Sequence, residues 1–220
     1  TRTCEPNAGW TELVWQWKLE ADVPSVTVGT RTFAPVKATV GYGEASEYDL
    51  PADATQAEIQ GVVDGVPEGS VIVLADGSYP FASSLSVARP VTLRGSGSAN
   101  CVIYATAKFN NLLKLNHAAA LVEGVTISNA ESNVAWNWNA AGVRIDAGTL
   151  SHSRVTRCNG NSNNLAGGIS VHGSEGRVTH CLVDNNIATF SGGQGGGVFL
   201  NAGTLDNSLI VGNQAQSGGG

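Results

Sequence analysis

Short apolar segments recur along the second half of the chain at a near-constant spacing. Val125-Thr126-Ile127, Ser153-Arg154-Val155, Cys181-Leu182-Val183 and Ser208-Leu209-Ile210 align with Ile127, Val155, Val183 and Ile210 at steps of 28, 28 and 27 residues. A second series, Gly142-Val143-Arg144-Ile145, Gly168-Ile169-Ser170-Val171 and Gly197-Val198-Phe199-Leu200, advances by 26 and 29. In an extended chain alternate side chains point to opposite faces, so Val143/Ile145, Ile169/Val171 and Val198/Leu200 are expected to face inward together. One coil alone would leave that face wet. Stacking the coils at about 4.8 Å buries it and pairs each strand with those above and below. The pattern predicts an all-β parallel β-helix, a solenoid of coils of 27–29 residues, over 51–220.

Upstream the pattern is less regular. Val71 to Leu74, Leu85 to Val87, Val91 to Leu93, Val102 to Tyr104 and Leu112 to Leu115 read as short strands, separated by turn signals such as Asp76-Gly77 and Gly95-Ser96-Gly97. One helix interrupts them. Thr55-Gln56-Ala57-Glu58 has the form of a capping box, and Ile59, Val62, Val63 and Val66 follow at helical spacing. This amphipathic helix, expected at about 55–66, is suited to cover the first coil as an N-terminal cap. Residues 1–50, with Trp10, Trp15 and Trp17 crowded together and a strand-like Val26-Thr27-Val28, read as an extension of that cap or the remnant of a preceding β domain. Gly218-Gly219-Gly220 stands where a fresh inward strand should begin, so a longer β-helix, truncated here, is expected.

Composition narrows the function more than it names it. The net charge is −6, charged residues make up 14% and apolar residues 42%. That balance gives no electrostatic case for a nucleic-acid partner, and no apolar run approaches a membrane-spanning length. The first residue is Thr1 and Met is absent, so a processed or cut N-terminus is expected. Four cysteines match no zinc spacing; their number allows a Cys4–Cys101 disulfide, while Cys181 reads as a small buried apolar residue. Asn129, Asn159, Asn185, Asn186 and Asn213 follow the first strand series, where turn-forming Asn is useful, and some are expected to stack as a ladder.

Two stretches carry a family likeness. Leu74-Ala75-Asp76-Gly77-Ser78-Tyr79 with Pro90-Val91-Thr92-Leu93-Arg94-Gly95 resembles the first coils of pectate-lyase-like right-handed β-helix proteins. Asn186…Gly195-Gly196-Gly197-Val198 and Asn213…Gly218-Gly219-Gly220 are similar to repeats of bacterial polymorphic outer-membrane and autotransporter-type surface proteins. The resemblance implies a right-handed, single-stranded coil and a secreted or cell-surface, bacterial setting. It leaves function open, because the superfamily spans polysaccharide lyases, glycoside hydrolases, adhesins and tailspikes. A lyase of this kind would hold calcium in clustered carboxylates. Asp146, Asp184 and Asp206 fall on different strands or turns, so no calcium, other metal or cofactor is expected unless the chain is a lyase.

Three candidate sites follow from the register. Asp146 and His172 stack on the outer face, with Asn201 beyond and Arg144, Ser170 and Phe199 alongside, a pairing suited to acid–base work or to a hydrogen-bonded surface ladder. Arg154, Arg157, Arg177 and His180 gather near Asp184 as a basic face for an acidic glycan, or as ordinary paired surface charge. Trp136, Asn137, Trp138 and Asn139, with Phe190 in an equivalent loop, suit a sugar ring and its hydroxyls, or pack back on the coil wall. The leading expectation is a structural, adhesive or glycan-binding surface protein. A polysaccharide lyase or glycoside hydrolase, and an end-to-end self-assembling unit, are the alternatives.

Overall fold

The computed structural model describes residues 24–36, 46–132, 140–160, 166–188 and 192–216. They form a right-handed parallel β-helix of about six turns with one short helix. Each full coil runs along three walls, here called leading, middle and trailing.

The leading wall stacks Leu85–Val87, the first part of Leu113–Glu123, the first part of Val143–Ser151, Ile169–Val171 and Val198–Leu200. The middle wall begins with Glu47–Leu50 on Val71–Leu74 and continues through Thr92–Gly95, Leu121 to Glu123, Thr149 to Ser151, Gly176–Thr179 and Thr204–Asp206. The trailing wall runs Gly77–Phe81, Cys101–Ala105, Thr126–Ser128, Arg154–Thr156, Leu182–Asp184 and Leu209–Val211.

The two registers expected from the repeat are the ones formed. Ile127 pairs with Val155, Val155 with Val183 and Val183 with Ile210; Val143 pairs with Ile169, and Ile169 with Val198. A one-residue slip would turn every apolar side chain outward, which is why the alternation specifies the register so strongly.

Two expectations change. The sheet starts before residue 51, because Glu47–Leu50 is already a rung. The coil length of 27–29 holds downstream and from Leu85 to Leu113 and Thr92 to Leu121, steps of 28 and 29, but not in the other early coils. On the middle wall Glu47, Val71 and Thr92 are 24 and 21 residues apart, and on the trailing wall Gly77 pairs with Cys101 and Val102 with Thr126, both steps of 24. Early coils turn with shorter loops and fill their interior with larger side chains: Tyr48, Tyr79, Phe81, Leu85 and Leu93 are all buried.

The helix spans Gln56–Gly65, with the reciprocal Thr55/Glu58 capping box in place. Ile59, Val62, Val63 and Val66 are fully buried over the first coils. A hairpin of Val26–Val28 and Arg31–Phe33 lies on the helix in turn. Its approach demands glycine there: a Cβ on Gly61 would lie 2.5 Å from Val28 Cγ2, and one on Gly65 2.8 Å from Val26 Cγ1.

Corners in the later coils are single left-handed residues. Between middle and trailing walls these are Gly124, His152, His180 and Asn207; after the trailing wall they are Asn129, Arg157, Asn185 and Gly212. The residue after such a corner often reaches back across it. Ser153 Oγ donates to the Ser151 carbonyl at 2.7 Å, Cys181 Sγ to Thr179 at 3.2 Å and Ser208 Oγ to Asp206 at 2.7 Å. Of the five asparagines expected to share a role, Asn129 and Asn185 make the turn, while Asn186 and Asn213 point inward as the ladder. Asn186 Nδ2 donates to the Val155 carbonyl at 2.9 Å and to Asn213 Oδ1 at 3.0 Å, and the Cys158 N–H donates to Asn186 Oδ1 at 3.0 Å.

Cys101, Cys158 and Cys181 are free and buried. Cys101 faces the apolar interior of the trailing wall, where burial pushes its thiol up to about 12. Cys4, its partner in the expected bridge, lies outside the described residues.

Candidate functional site

The outward side chains form columns, because parallel rungs in register place equivalent residues one above another. On the leading wall the column is Lys114, Arg144, Ser170 and Phe199. Asp146 sits beside it, with His172 at the same place on the next rung. The Asp146 carboxylate accepts from Arg144 Nε at 2.9 and 3.0 Å, and Lys114 Nζ lies 3.4 Å away. Burial pulls its pKa up, but the hydrogen bond and charge of Arg144, joined by Lys114, bring it below the ordinary carboxylate value. The His172 ring lies 6.1 Å from that of Phe199. The structure thus brings Asp146 and His172 to adjacent rungs, with the carboxylate tied to two cations.

The expected basic face is divided among two walls and two corners. Arg154 projects from the trailing wall and clasps Asp184 of the next coil, Nε to Oδ1 at 2.7 Å and Nη2 to Oδ2 at 2.6 Å. Arg177 is not near Asp184 on one face, as the linear order suggested. It lies on the middle wall and binds Asp206 at 2.7 Å, because the left-handed turn at His180 sends the chain round a corner before Cys181. Arg157 and His180 occupy corner positions and are exposed. Trp136, Asn137, Trp138, Asn139 and Phe190 lie outside the described residues.

The middle-to-trailing corner holds a group that reading the chain missed. His152 and His180 stack with ring centroids 4.7 Å apart and planes within 2°. Each ring is anchored by the hydroxyl before it, Ser151 Oγ to His152 Nδ1 at 2.6 Å and Thr179 Oγ1 to His180 Nδ1 at 2.9 Å. Above them a cleft of about 230 Å³ opens, lined by Arg94, Gly95, Ser96, Gly97, Glu123, Gly124 and His152. Arg94 Nε and Glu123 Oε1, on successive rungs, meet across 2.6 Å. The signal was present: Ser151-His152 and Thr179-His180 repeat at the same step of 28 as Val155 and Val183.

Among the described residues no group of three or more His, Cys, Asp or Glu is arranged to hold a metal ion. No described helix is long and apolar enough to cross a membrane.

No protein-family model matches the chain, and no curated protein matches it. Solved structures similar to it include a rice weevil pectin methyl esterase, at 13% identity and a TM-score of 0.46, covering 83% of this chain and 67% of that one. An alginate lyase from Paenibacillus sp. str. FPU-7 is similar at 14% identity and a TM-score of 0.37, covering 74% and 76%.

Proposed function

We propose that the chain is a rigid, secreted or cell-surface scaffold that binds glycans or adheres to surfaces through the polar outer walls of its β-helix. One observation carries this reading: the charged side chains of the walls tie coil to coil. Arg94–Glu123, Arg154–Asp184 and Arg177–Asp206 each join successive rungs at 2.6 to 2.7 Å. Those charges hold together walls whose rungs repeat about every 4.8 Å and carry polar side chains among them, a surface suited to a polymer of hydroxyl-bearing units. Retention of the 220-residue chain on a panel of immobilised neutral and acidic polysaccharides tests it. Binding without new reducing ends or unsaturated products supports the scaffold; cleavage of any member assigns an enzyme instead, and absence of binding across the panel sinks the glycan reading.

A further inference from the structure

The corner column reads Gly124, His152, His180, Asn207 from rung to rung. His180 covers one face of the His152 ring. The rung on the other side carries Gly124, and glycine is obligatory there. Its φ is +68°, and an added Cβ would lie 2.4 Å from the Gly95 carbonyl oxygen. The column of side chains therefore stops at His152, and the cleft of about 230 Å³ opens beside it between Gly124, Gly95 and the Arg94–Glu123 pair. One wall of the cleft is the Arg94–Glu123 pair, whose side chains remain 45 and 23% exposed. Ser96 and Gly97, in a loop whose Gly97 N–H donates to the Gly124 carbonyl at 3.0 Å, form the other boundary.

We propose that this cleft is a subsite for the ring of one neutral pyranose unit, lying against the open face of His152. The proposal rests on the glycan-binding reading above and gives it a place. Stacking supports it: rings in this column lie 4.7 Å apart, the separation at which a sugar ring would rest on the face of His152 away from His180. Volume supports it too, since the cleft falls below the range of about 300–1,000 Å³ that holds drug-sized ligands. Polar chemistry selects the class. The Glu123 carboxylate accepts from sugar hydroxyls and the Arg94 guanidinium donates to them, while as a pair they carry no net charge; an acidic sugar would set its carboxylate beside Glu123. The Ser151 hydroxyl on Nδ1 and the His180 ring behind hold the imidazole plane in place before a ligand arrives.

The test is a titration of the 220-residue chain with methyl glycosides of glucose, galactose, mannose and xylose, followed by the ring signals of His152 and His180 in carbon–proton spectra. At least one glycoside is expected to move His152 at saturation. His152→Asn, which keeps a residue type already at this corner in Asn207, is expected to weaken binding about tenfold or more, and His180→Asn by less than about threefold. Glu123→Gln, folded or not as judged by its melting curve, supplies a second variant if His152→Asn does not fold, with the same tenfold loss expected of a folded protein. A glycoside that binds without moving His152, or equal binding by parent and His152→Asn, overturns the subsite and leaves polysaccharide retention as a separate property. If no glycoside and no polysaccharide binds, both fall together.

Discussion

The coils before residue 101 and those after 142 solve one problem by different means. The upstream rungs from Glu47 to Thr92 and from Gly77 to Cys101 advance by 21 to 24 residues, and the interior there is filled with Tyr48, Tyr79, Phe81 and several leucines under a helix. The downstream coils advance by 27 or 28 on the trailing wall and fill theirs with Val155, Val183, Cys158 and Cys181. Smaller side chains leave less apolar surface to bury, and polar ladders take up part of the load. Asn186 and Asn213 bond inward to the backbone, Ser153 and Ser208 brace the corners, and Arg154 and Arg177 clasp the next coil. A solenoid can therefore hold its coils by volume or by repetition, and only repetition leaves an evenly spaced outer surface for a ligand.

If the upstream half is held by volume, Phe81→Ala is the most damaging single change. Its side chain is fully buried, and the cavity is expected to cost about 3–5 kcal/mol, measured by chemical denaturation. A cost near 1 kcal/mol would mean that this half tolerates a void and that the contrast is false.

In the downstream half the polar ladder should carry a load of its own. Asn186→Ala removes the acceptor of the buried Cys158 N–H and the donor to the Val155 carbonyl, and is expected to cost about 2–3 kcal/mol. Asn213→Ala, on the half-buried next rung, should cost less. Equal losses would show that burial does not set the strength of the ladder.

The smallest effect belongs to the outer clasp. Arg154, through its hydrogen bonds, holds the Asp184 carboxyl below the ordinary carboxylate value against the opposing pull of burial, with Asn185 assisting. A lowered folded-state pKa contributes stability above the unfolded value of about 3.9, and that contribution is lost as the pH falls through the folded value. Asp184→Asn is thus expected to cost about 1 kcal/mol at pH 7. Parent and variant should converge below the carboxylate range in melting temperature against pH. Parallel curves would place the clasp outside the acid response.

How far the chain could be read depended on the same contrast. Downstream, Ile127, Val155, Val183 and Ile210 disclosed their pairing because equal coil lengths turn contact in space into a fixed step in sequence. The Thr55/Glu58 box disclosed the helix because capping is local. Upstream the coil lengths were illegible, since unequal loops erase the step. Partners within the site were harder. Arg177 stands seven residues from Asp184 in sequence yet binds Asp206, because one left-handed residue at His180 decides which wall each faces.

Alternation of apolar and polar residues, and its recurrence every 28, determined the parallel β-helix, its inward faces and its helical cap without help from anything beyond the chain. Such features follow from strand periodicity and local hydrogen bonding, which are written residue by residue. Tertiary structure alone decided that Cys101 is a buried thiol, that Arg154 and Arg177 are spent on the next coil, and that Gly124 leaves a cleft beside His152. Each of those depends on which residues of separate coils face one another, and that is set by corner angles and unequal loops rather than by any local pattern.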